Sequence, residues 1–163
     1  MRIKLRRYSY LLGLCLCGCM TTRREASDPK PAPAPTQMEQ VTGIGGVFIK
    51  ARDPKAMAAW YRDHLGIQTR GGYADFAWRE KDHPEQMGRT VWSLFPTNTP
   101  YFAASPAPFM INYRVANLDR MIDQLRRSGI KVEKVEEYDY GRFTWITDPE
   151  NNRIELWEPR EKK

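Results

Sequence analysis

Gly46-Val47-Phe48-Ile49-Lys50-Ala51-Arg52-Asp53-Pro54, leading into Ala59-Trp60-Tyr61-Arg62-Asp63-His64-Leu65-Gly66, is one half of a duplication, because the chain repeats this pattern about 64 residues later. Val47 to Ala51 reads as a strand. Met57, Trp60, Tyr61 and Leu65 then recur at i, i+3, i+4 and i+8, the spacing of a helix that buries one face. Asp53 suits the N-cap, Pro54 the first helical position, where no backbone N–H is needed, and Gly66 the left-handed residue that ends the helix. The second copy supplies the strand Ile111-Asn112-Tyr113-Arg114-Val115, the cap Asn117, the stripe Leu118, Met121, Ile122 and Leu125, and the stop Gly129.

The flanking segments correspond as well. Phe76-Ala77-Trp78 answers Phe143-Thr144-Trp145, and Val91-Trp92-Ser93-Leu94-Phe95-Pro96 answers Ile154-Glu155-Leu156-Trp157-Glu158-Pro159. The turn Asp82-His83-Pro84-Glu85 matches Asp148-Pro149-Glu150, followed by Asn151, a residue type that tolerates positive φ. The expectation is one α+β domain over residues 41–160: two βαβββ modules in tandem, with helices outside and curved mixed sheets forming a cleft.

These motifs, together with Asp148 to Pro159, resemble the glyoxalase/bleomycin-resistance/extradiol-dioxygenase superfamily, the vicinal oxygen chelate fold. The resemblance covers nearly all of residues 41–159. It implies a fold that hosts isomerases, dioxygenases, thiol transferases and binding proteins, so it selects no one reaction. It also implies a metal site of His, Glu or Gln drawn from four strand positions, two per half. Carried over one by one, these fall at Gly46, Trp92, Met110 and Glu155. Glycine has no donor atom, an indole N–H is not a ligand, and a thioether is too soft for a hard cation. Only Glu155 remains, so no cofactor is expected, with a divalent metal as the alternative. His64, in the last turn of the first helix, and His83, in a turn, are expected at the surface.

Strand alternation extends the cleft lining from those four positions to Phe48, Lys50, Leu94, Asn112, Arg114, Arg153 and Trp157. An aromatic surface with several cations suits a small planar or anionic ligand. One reading is a metal-independent binding protein. Another is a glyoxalase-type lyase, isomerase or dioxygenase with a degenerate metal site, in which Glu155, its pKa raised in an apolar cleft, serves as acid or base. A third has the cleft filled by the protein's own side chains or by a second subunit of a homodimer. In that case Phe48, Trp92 and Met110 are filler and Glu155 pairs with Arg114 or Lys50, since a buried carboxylate needs a partner. The stretch Glu136 to Arg142 reads as a lid or as a solvated edge strand and turn.

Residues 1–18 have the features of a signal peptide: Arg2, Lys4, Arg6 and Arg7, then an apolar stretch from Tyr8 to Cys17 too short to span a bilayer. Leu16-Cys17-Gly18-Cys19 resembles a bacterial lipobox, which implies cleavage before Cys19, lipidation of that residue and a lipid-anchored protein of the cell envelope. A misassigned start in front of a cytoplasmic protein is the alternative. All three cysteines fall before residue 20, which removes disulfides and thiol chemistry from the folded body. The formal charge of +6 includes four positive side chains before Cys19, leaving +2, so nucleic acid is not an expected partner. Residues 19–40, with Pro29-Lys30-Pro31-Ala32-Pro33-Ala34-Pro35, read as a Pro/Ala-rich linker of polyproline II character, able to reach on the order of 60 Å at about 3.1 Å per residue.

Overall fold

A computed structural model describes residues 37–81 and 83–160. The expected signal peptide, Cys19 and linker residues 19–36 lie outside the described residues. The elements are β1 (Val41–Ala51), α1 (Pro54–Leu65), β2 (Tyr73–Arg79), β3 (Met87–Pro96), β4 (Phe109–Val115), α2 (Leu118–Arg127), β5 (Glu136–Tyr138), β6 (Gly141–Thr147) and β7 (Arg153–Pro159), with a short 3-10 turn at Pro100–Phe102. The second module has the expected βαβββ order. The first has βαββ: where its extra strand belongs, Arg70 makes a lone bridge to Tyr73 around Gly71 and Gly72, both at positive φ.

The helix ends follow the local chemistry. Asp53 accepts from the Ala56 N–H, Gly66 takes φ 68°, and Asn117 accepts from the Arg120 N–H. Two more carboxylates meet the positive end of α2: Glu39 accepts from the Asn117 N–H at 3.2 Å and Glu158 from the Leu118 N–H at 2.5 Å. Glu39 and Gln124 exchange two further hydrogen bonds, so the folded unit begins at Gln37, four residues before the expected boundary.

The modules join edge to edge through antiparallel β1 and β4 into one seven-stranded mixed sheet, ordered β2-β3-β1-β4-β7-β6-β5. In each module the strand before the helix lies parallel to the last strand, β1 with β3 and β4 with β7. Both helices cover the same face. On it α2 buries Leu118, Met121 and Ile122 against Val115 and Leu156, as its pattern predicts. Helix α1 covers much less: Met57, Trp60 and Leu65 are exposed, and Ala58 and Tyr61 make the packing contacts. The cause lies in β3, where Trp92 and Leu94, with Ala74, fill the layer beneath the helix, and the Tyr61 ring meets Trp92 at 4.6 Å. The opposite, inner face carries a second core of Phe48, Met110, Phe143, Trp145 and Trp157, capped by Phe102 from the turn between the modules.

Candidate active site on the inner face

Strand register fixes which residues share this face. Phe48 pairs with Ser93 across β1 and β3, and Asn112 pairs with Glu155 across β4 and β7. Because Phe48 and Asn112 occupy equivalent places in the two repeats, the counterpart of Glu155 is Ser93. The sequence expectation of Trp92 is therefore corrected, along with Leu94: both point to the helices. Matching Pro96 to Pro159 aligned the strand ends, but register is set by pairing with the neighbouring strand, and a slip of one residue exchanges faces. Gly46, Met110 and Glu155 stay on the inner face, as do Phe48, Lys50, Asn112, Arg114, Arg153 and Trp157.

At its centre Glu155 is 1% exposed and held on both oxygens. Asn112 Nδ2 donates to Oε1 at 2.6 Å, Trp145 Nε1 donates to Oε2 at 2.8 Å, and the Tyr101 hydroxyl donates to the same Oε2. Burial pushes the Glu155 carboxyl above its ordinary value, more than the hydrogen bonds from Tyr101, Asn112 and Trp145 pull it down. Burial, followed by the neighbouring carboxylate, pushes the Tyr101 phenol up as well. Neither expected partner reaches Glu155 by hydrogen bond. Arg114 pairs with Glu80 at 2.8 Å and lies on the Trp78 ring. Lys50 donates to the Ser105 carbonyl at 2.9 Å, over the Phe102 ring.

Tyr101 and Phe102 are the residues that sequence reasoning missed. They sit in the connection between β3 and β4, where Thr99 caps the turn by accepting from the Tyr101 N–H. Tyr101 stacks on Phe95 at 5.1 Å between ring centres and packs edge-to-face with Phe48 and Trp145. Arg153 lies on the Trp145 ring, pairs with Glu133 at 2.6 Å and donates to the Tyr101 carbonyl, tying the turn to β7. The only sequence signal for this turn was that a buried carboxylate requires donors.

The metal that the fold family implies does not fit these residues. The four positions are Gly46, Ser93, Met110 and Glu155, and the one carboxylate is occupied by three hydrogen-bond donors. A side chain at Gly46 would begin 2.8 Å from the Phe48 ring, so that ring fills the space a ligand there would need. Among the described residues no group of three His, Cys, Asp or Glu side chains is placed to hold a metal ion. His64 lies against Trp60 on α1, and His83 lies 3.4 Å from Glu85 in its turn. The half of the face contributed by the first module is less filled: Val91, Ser93, Phe95, Lys50 and Tyr101 are all half-buried. The stretch Glu136 to Arg142 is an edge strand and turn, β5 pairing with β6.

A family model for the Glyoxalase/Bleomycin resistance protein/Dioxygenase superfamily matches residues 43–156, and the chain belongs to that superfamily. Among solved structures it is similar to Streptomyces coelicolor methylmalonyl-CoA epimerase in complex with 2-nitronate-propionyl-CoA, at 16% identity and a TM-score of 0.58, over 76% of this chain and 99% of that one. It is also similar to methylmalonyl-CoA epimerase from Mycobacterium tuberculosis, at 22% identity and a TM-score of 0.50, over 74% of this chain and 90% of that one. At these identities the likeness is one of fold. No curated protein sequence matches the chain.

Proposed function

We propose that this protein is a metal-independent binding member of the superfamily, lipid-anchored at the cell envelope through Cys19, that holds a small planar ligand on the inner face of the sheet. The observation that carries the reading is the occupancy of Glu155: Tyr101, Asn112 and Trp145 satisfy the one remaining carboxylate of the metal-site positions. On the first module's half of the same face, the half-buried Phe95, Ser93, Val91 and Lys50 supply an aromatic wall and a cation. Three protein donors on its oxygens favour Glu155 as a hydrogen-bond acceptor for such a ligand over a role as general acid or base. Export rests on the lipobox-like Leu16-Cys17-Gly18-Cys19 and on the confinement of cysteine to that region.

Titration of the full chain with planar neutral and anionic compounds, followed by the indole N–H resonances of the tryptophans, tests the reading. A saturable shift of the Trp145 resonance is expected with at least one compound. No shift with any of them contradicts it. For the anchor, mass spectrometry of membrane-fraction protein should find an acylated Cys19 at the new N-terminus, and Cys19→Ser should release the protein from that fraction.

A further inference from the structure

The aromatic side chain seated on Glu155 comes from a loop and not from the sheet. Its ring fills a slot with Phe95 as a parallel wall at 5.1 Å and with Trp145 and Phe48 in T-shaped contact at 6.0 and 6.1 Å. Its hydroxyl supplies one of the three donors that Glu155 needs. The ring is only half-buried, whereas Phe48, Trp145 and Glu155 around it are buried. Two residues on, Ala103 takes φ 45° and ψ −135°, in the left-handed half of conformational space that a residue with a Cβ adopts at a cost. The turn is thus held against its local preference by the contacts of Tyr101, Phe102 and the Arg153 clamp.

We propose that Tyr101 is a tethered occupant of the ligand slot, and that the slot takes a planar aromatic molecule bearing a hydroxyl, which displaces the Tyr101 ring and takes over its hydrogen bond to Glu155. This rests on the binding function proposed above and names the ligand class for that site. A hydroxyl is favoured because a plain ring in the slot leaves the buried Oε2 of Glu155 with Trp145 as its single donor. Sites built around such a hydrogen bond discriminate strongly against the analogue that lacks the hydroxyl. When the turn lifts, the Tyr101 carbonyl leaves Arg153 and frees one of its guanidinium N–H donors.

The test titrates the full chain with p-cresol, the tyrosine side chain as a free molecule, and with toluene, the same ring without the hydroxyl. The readout is the Trp145 indole N–H resonance, assigned with Trp145→Phe. Wild-type protein should bind p-cresol saturably, with toluene at least tenfold weaker. Tyr101→Ala should bind p-cresol at least tenfold more tightly than wild type, because the internal competitor is gone. Tyr101→Phe, which keeps the fold-filling ring, should bind it severalfold more tightly. Binding of p-cresol to Tyr101→Ala alone would make the ring a fixed core residue and overturn the proposal. So would equal binding of toluene, or a planar ligand that binds wild type with an affinity indifferent to both Tyr101 variants. In that last case the binding function stands. A protein that binds no planar compound in any of the three forms removes the binding function itself.

Discussion

Tyr101 and Glu155, 54 residues apart in the chain, meet on the inner face of the sheet, the phenol donating to a carboxylate that is 1% exposed. Among the four positions where the fold family implies a metal site, Glu155 is the one carboxylate, and this contact engages it.

Replacing Glu155 with Gln should be costly. The amide keeps the volume, but it presents an N–H₂ toward groups that are themselves donors, leaving at least one of Tyr101, Asn112 and Trp145 without an acceptor. A loss of about 2–3 kcal/mol in chemical denaturation is expected. Glu155→Asp, which withdraws both oxygens from their donors, should also destabilise.

Stability should depend on pH through the same residue. Burial raises the folded-state pKa of Glu155 above the ordinary 4.5, so the folded protein holds this proton more tightly than the unfolded chain does. Its contribution is fully present below pH 4.5 and is lost as pH rises through the folded value. Urea midpoints measured upward from pH 4.5 should therefore fall, and Glu155→Gln should abolish that part of the slope. Asp119 and Asp148, held below the ordinary aspartate value by Arg142 and by Asn152, act in the opposite sense and only in more acid solution.

Gly45 and Gly43 should respond oppositely to alanine. Gly45 sits at an irregularity in the β1 and β4 pairing, and a Cβ there would begin 2.1 Å from Asn112 Oδ1 and 2.6 Å from the Trp157 ring. Both neighbours are buried, so Gly45→Ala should cost about 1–3 kcal/mol and disturb the Asn112 bond to Glu155. Nothing lies within 4 Å of the same atom at Gly43, so Gly43→Ala is the matched control, expected to stay within about 0.5 kcal/mol.

Trp92 and Trp60 lie on the helix side of the sheet, away from the inner face, and differ in burial. Trp92→Ala opens a cavity under α1 and should cost about 3–5 kcal/mol, while a destabilised but folded protein retains ligand affinity. Trp60 is 51% exposed, and Trp60→Ala should shift the unfolding midpoint little.

Much of the fold was legible because its signals are local. The caps Asp53 and Asn117, the stop at Gly66 and the positive φ of 65° at Asn151 are properties of single residues in short turns. The face of β3 was not legible, since alternation shows that Trp92 and Ser93 lie on opposite sides without showing which side is which. That choice belongs to the pairing of Phe48 with Ser93, a non-local fact. The stripe on α1 failed for a related reason: spacing marks a helix face, but Trp92 decides how much of that face is covered. At the site, Asn112 and Glu155 were read onto one face, whereas Tyr101 was invisible because an irregular connection carries no periodicity.

With Tyr101, Asn112 and Trp145 on Glu155, at the position where the fold family implies a metal, the protein should need no metal. Elemental analysis of the full chain purified without chelators, followed by thermal unfolding with and without added Mn²⁺, Ni²⁺ or Zn²⁺, tests it most directly. Far less than one metal per chain is expected, with a Tm that neither these ions nor EDTA move. One equivalent of tightly bound metal, stabilising the fold and lost in Glu155→Gln, would contradict it.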